Sequence, residues 1–419
     1  MDYDRNALKL HRTLAGKIGI APKGQVDHDN LALYYTPGVA AVSKRIAEKP
    51  DEVFDLTWRG NVVAVVSDGT RVLGLGNIGP EAALPVMEGK ALLFKAFGGV
   101  DAIPLVVNLK TEEELVTFCK AIEPSFGGIN LEDVESPKCF YVLDRLREIS
   151  DIPVWHDDQQ GTATVILAGL FSALKLTGRK LERTRIVLVG LGAANTAVFR
   201  LLIQSGVPPT NIIAVDEKGI LTPQRAEDFE IRDPRRRVCE LTNREARTGH
   251  IAQALEGADI CIALSRPGPG VIEPAWVRKM AKDPIVFACA NPKPEILPED
   301  ALRAGVAVMA TGRSDYPNQL NNVLVFPAMF RGALDVRATK ITDGMCLAAA
   351  KALYAYTCKT NLSRDHIVPR PNECGAFIEE AIAVATQAEK EGVARWQRSE
   401  EELRKSIAQK IRGVSNSAS

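Results

Sequence analysis

The chain is predicted to be an α/β protein of two parallel-sheet domains, the second a Rossmann-type dinucleotide-binding domain, followed by a helical C-terminal extension. Three observations carry this expectation. Short β-rich runs alternate with helical segments of roughly 10–15 residues, the pattern of strands joined by crossover helices. One such run, RIVLVG, feeds directly into the glycine-rich turn GLGAANTA. After LNNVLVFPAMFRGALDV the text becomes Ala-rich and helical, with no further strand pattern.

Length and composition fit that architecture. A chain of 419 residues exceeds what one hydrophobic core organises. Lys plus Arg and Asp plus Glu both number 52, so the net charge is zero, and neither a nucleic-acid partner nor an anionic membrane is implied. No window approaches the roughly 18–20 apolar residues of a membrane helix, and the N-terminal stretch has no apolar run of the kind a secretory presequence needs. A cytoplasmic protein is expected. The eight cysteines are scattered with no CxxC pair, unlike a zinc or redox motif, and most lie in apolar runs as core packing.

The elements follow in order. Thr36-Pro37-Gly38 opens a helix running through Lys44. NVVAVVSDGTRVLGLGN reads as a β-hairpin around an Asp-Gly turn, and residues 81–97 read as helix. Strand DAIPLVV (101–107), helix TEEELVTFCKAI, strand GGINLED, helix PKCFYVLDRLREI, strand IPVWHDD and helix TATVILAGLFSALKLTG complete the first series. The polar stretch TGRKLERTR (177–185) is the linker candidate. The second series runs RIVLVG, helix AANTAVFRLLIQSG, strand NIIAVD, a solvated charged loop around DPRRR (233–237), then strands ADICIAL, PIVFACANP and VAVMATG.

Two glycine motifs compete for the nucleotide. Gly74-Leu-Gly76-Asn-Ile-Gly79 matches GxGxxG in spelling, but no full strand precedes it and no acid closes a following strand. Gly190-Leu-Gly192-Ala-Ala-Asn195 meets the contextual demands: strand Ile186–Val189 before it, an amphipathic helix after it, and Asp216 closing NIIAVD roughly twenty residues on. Asn195 stands where the third glycine or alanine is usual. Asp216 would accept the ribose hydroxyls and favour NAD, whereas Lys218 could offset its charge for NADP, so both cofactors stay open.

Two acidic pairs, Glu132-Asp133 and Asp157-Asp158, lie at successive strand ends just ahead of this fold. A hard cation such as Mg²⁺ or Mn²⁺ takes carboxylate oxygens. Adjacent carboxylates on an extended strand point apart, so each pair needs a turn for both members to converge. The bland alternative is that Asp133 and Asp158 cap the helices after them.

The motifs YTPGVA, SDGTRVLGLGNIGPEAALPVMEGKALLFK, INLEDV, HDDQQGTA, ACANP and NNVLVFP, in this order and spacing, resemble the malic enzymes, specifically the short bacterial and archaeal form, over about residues 30 to 335. The resemblance implies metal-dependent oxidative decarboxylation of malate to pyruvate and CO₂ with NAD or NADP. It implies a substrate- and metal-binding domain over 1–160, an NAD(P)-binding domain over 161–335 and a helical extension over 336–419. It gives Glu132, Asp133 and Asp158 as cation ligands and places Asp157 near a catalytic lysine, Lys90. Tyr35 falls at the catalytic tyrosine, with Tyr34 its neighbour. Arg71 matches an arginine that binds a substrate carboxylate in longer members and that short forms often lack. Asn291 and Asn322 match asparagines that contact substrate or nicotinamide.

In the implied chemistry a base takes the C2 hydroxyl proton, hydride passes to the nicotinamide, and the tyrosine protonates C3 after CO₂ leaves. Burial near a cation would lower the pKa of Lys90 for that task. Lys95 is the fallback base, and His156 reads as a structural strand-end residue. A homodimer or larger assembly is implied, with room for Tyr35 or Lys90 to cross the interface. Two alternatives share the motifs: a malolactic enzyme that retains NAD and releases lactate, and a nucleotide-binding sensor without catalysis.

Overall fold

The computed structural model describes residues 3–72 and 74–417, with side chains through 413. Two sheets organise it. The first contains β1 (Val62–Ser67), β2 (Asp101–Val106), β3 (Gly128–Leu131) and β4 (Val154–His156) in the order β2-β1-β3-β4, all parallel. The second contains β5 (Ile186–Val189), β6 (Ile212–Asp216), β7 (Gly219–Ile220), β8 (Ile260–Ala263), β9 (Ile285–Ala288) and β10 (Val308–Thr311). Its order is β10-β9-β8-β5-β6-β7, parallel except for the antiparallel β6–β7 pair. The strand order reverses between β5 and β8, which leaves a crevice at their carboxyl ends.

The helices of eight or more residues are α1 (Tyr3–Leu14), α2 (Val39–Glu48), α3 (Pro80–Gly98), α4 (Glu112–Ile122), α5 (Lys138–Ile149), α6 (Thr162–Thr177) and α7 (Ala193–Gln204). They continue with α8 (Pro234–Leu241), α9 (Phe326–Asp335), α10 (Asp343–Thr360), α11 (Cys374–Lys390) and α12 (Glu400–Ser417). Six of the eight cysteines are buried and all are free thiols, in line with their reading as packing residues.

Two expectations are corrected. The hairpin at 62–76 does not form. β1 is buried on both faces along its whole length, so it pairs with two parallel neighbours instead of doubling back. Past Asp68-Gly69 an isolated Val72–Gly76 bridge is the pairing left among the described residues. The charged run at 233–237 is also not a loop. Asp233 accepts the Arg235 backbone N–H at 2.9 Å, Pro234 occupies the first turn, and α8 buries Val238 and Cys239.

The C-terminal helices share the main core. Phe94 of α3 meets Phe326 and Phe330 of α9 with ring centroids 4.6 and 5.4 Å apart, and Phe97 stacks on Phe377 of α11 at 5.1 Å. The C-terminal helices thus brace α3.

One buried group opposes this packing. Glu380 on α11 is fully buried, and neither carboxyl oxygen has a hydrogen-bond partner. Burial pushes its pKa well above the usual range. With the folded pKa raised, its contribution to stability is complete below the unfolded carboxyl pKa and is lost as pH rises toward the folded value. Glu380→Gln should therefore flatten the loss of stability as pH rises above the ordinary carboxyl range, and Glu380→Leu should add about 1–3 kcal/mol above neutral pH. Urea unfolding across pH checks this, and identical pH slopes in parent and variants would refute it.

Candidate active site

A cleft of about 1300 Å³ runs between the carboxyl ends of the two sheets. Its walls include Arg71, Lys90, Glu132, Asp133 and Asp158 on one side and Gly190, Gly192, Asp216, Lys218, Asn291 and Asn322 on the other.

The acidic residues converge because the backbone supplies the turns an extended strand lacks. Asp133 adopts φ 56°, turning the chain directly after β3. Asp157–Gly161 forms a π-helical turn between β4 and α6. Ligand oxygens of Glu132, Asp133 and Asp158 then lie within 4.8 Å of one another. The Asp133 backbone N–H also donates to Asp158 Oδ2 at 3.0 Å, which ties the two turns together. Neither acid caps a helix: Pro137 precedes α5 and Gly161 precedes α6, both without a side-chain cap.

Lys90 projects from α3 into this cluster. Its Nζ lies 2.6 Å from Asp157 Oδ2 and 2.9 Å from Glu132 Oε1, and 4.3 Å from the centroid of the Phe326 ring. Trp155 Nε1 donates to Asp157 Oδ1 at 3.0 Å, and Asn130 Nδ2 donates to Glu132 Oε2 at 2.9 Å. The expected lowering of the Lys90 pKa refers to a lysine beside a bound cation; the carboxylates by themselves act in the other direction. Burial lowers it, but Asp157 and Glu132 together overcome that and raise it, so the ammonium form is held. Burial pushes Glu132 well above the usual carboxylate range. Lys90 offsets this in part, whereas Asp157, Asp158 and Asp133 add to it. Four carboxyl groups around one ammonium leave surplus negative charge and oxygen-only donors, which fits a divalent cation.

The other predicted residues divide. Arg71 lines the cleft, its backbone N–H donated to the Asp133 carbonyl at 2.9 Å. Asn322 begins a short turn in which the Val323 N–H donates to Asn321 Oδ1 at 2.9 Å. Tyr35 is not brought in: it is 70% exposed on the N-terminal segment and does not line the cleft, and Tyr34 is likewise exposed. Lys95 lies outside, paired with Asp101 at 2.7 Å, so the fallback base is removed. His156 is buried beneath, 3.7 Å from Asp158.

On the cofactor side, Gly190 has φ +83°, and a Cβ there would meet the Leu264 carbonyl at 2.7 Å. Asn195 is a tie: its buried Nδ2 donates to the carbonyls of Val189 at 3.0 Å, Gly190 at 2.7 Å and Ile262 at 3.4 Å, joining β5 to β8 beneath the turn. Gly74 belongs to the opposite wall, where a Cβ would lie 2.7 Å from the Asn291 carbonyl oxygen.

Two positions escape sequence reasoning. Arg225 pairs with Asp216 through both carboxylate oxygens at 2.8 and 2.5 Å, so it is Arg225 and not Lys218 that offsets that charge. Lys218 Nζ instead faces Asp228 at 3.5 Å. Glu295, fully buried, accepts from Ser265 N–H at 2.8 Å, Ser265 Oγ at 2.9 Å and Ala290 N–H at 3.1 Å. It holds the loops after β8 and β9 together beside Asn291. No motif marks either.

A Rossmann-type turn facing a carboxylate cluster across one cleft defines a dinucleotide-dependent class of enzyme. The sequence profile of the malic enzyme NAD-binding domain matches residues 159–390, and that of the malic enzyme N-terminal domain matches 17–117. The chain is 47% identical to the bifunctional malic/malolactic enzyme of Bacillus subtilis, covering 94% of this chain and 95% of that one. It is 50% identical to the NAD-dependent malic enzyme of Geobacillus stearothermophilus, covering 91% and 78%. The crystal structure of Entamoeba histolytica malic enzyme superposes with a TM-score of 0.96 at 44% identity, covering 99% of this chain and 87% of that one. The chain belongs to the malic enzyme family.

Glu295→Gln keeps shape but removes the anionic acceptor. It should raise KM for the dinucleotide about tenfold with a smaller change in kcat. Steady-state kinetics in both substrates checks this, and a proportional loss in kcat alone would assign Glu295 elsewhere.

Proposed function

We propose that the protein catalyses the oxidative decarboxylation of malate to pyruvate and CO₂ with reduction of NAD⁺ or NADP⁺, dependent on Mg²⁺ or Mn²⁺. The observation that carries this is the ligand cluster of Glu132, Asp133 and Asp158, within 4.8 Å of one another and sharing Glu132 with Lys90, in the same cleft as the Gly190 turn. Lys90 would take the C2 hydroxyl proton once a cation held by Glu132, Asp133 and Asp158 offsets the carboxylate charge that keeps it an ammonium, and Asp157, fixed by Trp155, orients it. Arg71 holds a substrate carboxylate, and Asn291 and Asn322 lie where substrate and nicotinamide meet. A bound divalent cation would polarise the substrate oxygens and stabilise the charge that develops as CO₂ departs. Intact Lys90 and ligand residues argue against a non-catalytic sensor.

Either dinucleotide suits the adenosine end, because Asp216 is neutralised by Arg225 and so does not repel a 2′-phosphate as a free carboxylate would. Arg225→Ala should free Asp216 and cut kcat/KM for NADP⁺ by about tenfold or more relative to NAD⁺. An unchanged ratio would remove this role.

The protein is read as a cytoplasmic homodimer in which Tyr35 of one copy completes the site of the other. Support comes from the 70% exposure of Tyr35 outside the cleft and from α1 and α2, which bury no residue and leave Leu8, Leu10 and Leu14 exposed. No described helix is long and apolar enough to cross a membrane.

Malate with Mn²⁺ and NAD(P)⁺ should give NAD(P)H absorbance and pyruvate in equal amounts. Lactate without net NADH would move the assignment to malolactic chemistry, the second activity in the name of the Bacillus relative. Lys90→Ala should lower kcat by about 10²–10⁴, and Asp158→Ala should raise the metal concentration needed for half activity. Mixing Tyr35→Phe and Lys90→Ala subunits tests the shared site: statistical dimers would recover about a quarter of wild-type turnover, and no recovery would place Tyr35 in its own subunit's site.

A further inference from the structure

A second cavity, of about 600 Å³, lies between the C-terminal end of α3, the Trp58–Gly60 turn and α12, away from the cleft. Its walls include Lys23, Lys95, Lys410, Asn61, Phe54 and Trp58. Nothing in the proposed reaction uses it.

Its charge is unbalanced in a chain whose net charge is zero. Lys95 is paired with Asp101 at 2.7 Å, and Lys410 with Asp335. Asp335 is already bound by the buried Arg331 at 2.7 Å, so one carboxylate serves two cations. Lys23 makes no ion pair with the described residues, and its charge acts on Asp101. Arg398 adds its charge to that around Lys410. On the walls themselves three lysines stand against Asp101 and the shared Asp335, which leaves Lys23 without a carboxylate of its own. The excess registers on Lys410: burial, and then Arg331, hold its pKa below the usual lysine value despite the contact with Asp335.

The polar walls are also fixed. Asn61 Nδ2 donates to the Gly99 carbonyl at 3.1 Å and to Asp101 Oδ2 at 2.9 Å, and its Oδ1 accepts from Arg331 at 2.5 Å. The cations therefore surround a recess whose floor is held by hydrogen bonds, with Phe54 and Trp58 as apolar flanks. Cations gathered at the rim of a recess attract a counter-ion more strongly than the same charges spread over a convex surface.

We propose that this cavity binds a small, multiply charged anion, a phosphate or a dicarboxylate, through Lys23, Lys95 and Lys410. The inference is independent of the catalytic reading, since none of these residues lines the cleft. Inorganic phosphate and malonate are each titrated into the full chain by calorimetry at constant ionic strength, with Lys23→Gln/Lys95→Gln compared with wild type. Both lysines are exposed, so the variant should fold and turn over malate as the parent does when no anion is added. Binding at least about tenfold weaker in the variant is expected, which is about 1.4 kcal/mol. Preference for phosphate over malonate, or the reverse, identifies the ligand class. Equal affinity in parent and variant for both anions overturns the proposal, as does a parent that binds neither. A misfolded variant is recognised by a lowered Tm without anion, and Lys23→Gln alone, on the N-terminal segment, then carries the comparison.

Discussion

The buried ammonium of Lys90 is the constraint around which the cleft is assembled. Taking such a charge out of water costs several kcal/mol unless carboxylates meet it at close range. Asp157 at 2.6 Å and Glu132 at 2.9 Å do so, and each is fixed in turn by a neutral donor, Trp155 or Asn130. Those supports come from β3, β4 and the turn after β4, while Lys90 comes from α3, which the C-terminal helices brace through Phe326, Phe330 and Phe377. Lys90 is therefore one of the points at which the first sheet and the C-terminal helices are tied together.

That convergence explains why the acids do different work. Asp157 is fully buried, faces Lys90 and Trp155, and stays off the cleft wall; Glu132, Asp133 and Asp158 open into the cavity. Glu132 belongs to both groups. Its oxygens are divided between the ammonium and the ligand cluster, so the state of the lysine and the occupancy of the cluster are electrostatically linked.

Much of this was legible in the sequence. Alternating strands and helices, the Gly190 turn and the acidic pairs are local features, and the parallel sheets follow from them. The hairpin expectation failed because an Asp-Gly turn describes a few residues, whereas the fate of β1 depends on strands that lie some forty and more residues later and bury both its faces. The charged run at 233–237 misled because composition was weighed above the Asp233-Pro234 start signal. Arg225 and Glu295 act on partners brought near only by the fold. The direction of the Lys90 shift depended on having Asp157 and Glu132 both within 3 Å, a distance that no spacing along the chain reports.

Gly74, whose spelling suggests a phosphate loop, has a different physical role. Its bare Cα faces the Asn291 carbonyl at a separation that leaves no room for a methyl group. The two halves of the molecule thus touch backbone to backbone at the lip of the reaction chamber. A side chain there would act as a wedge, holding apart the two walls that carry the Gly74 and Asn291 backbones. The closeness of that approach is set by the absence of a single carbon atom.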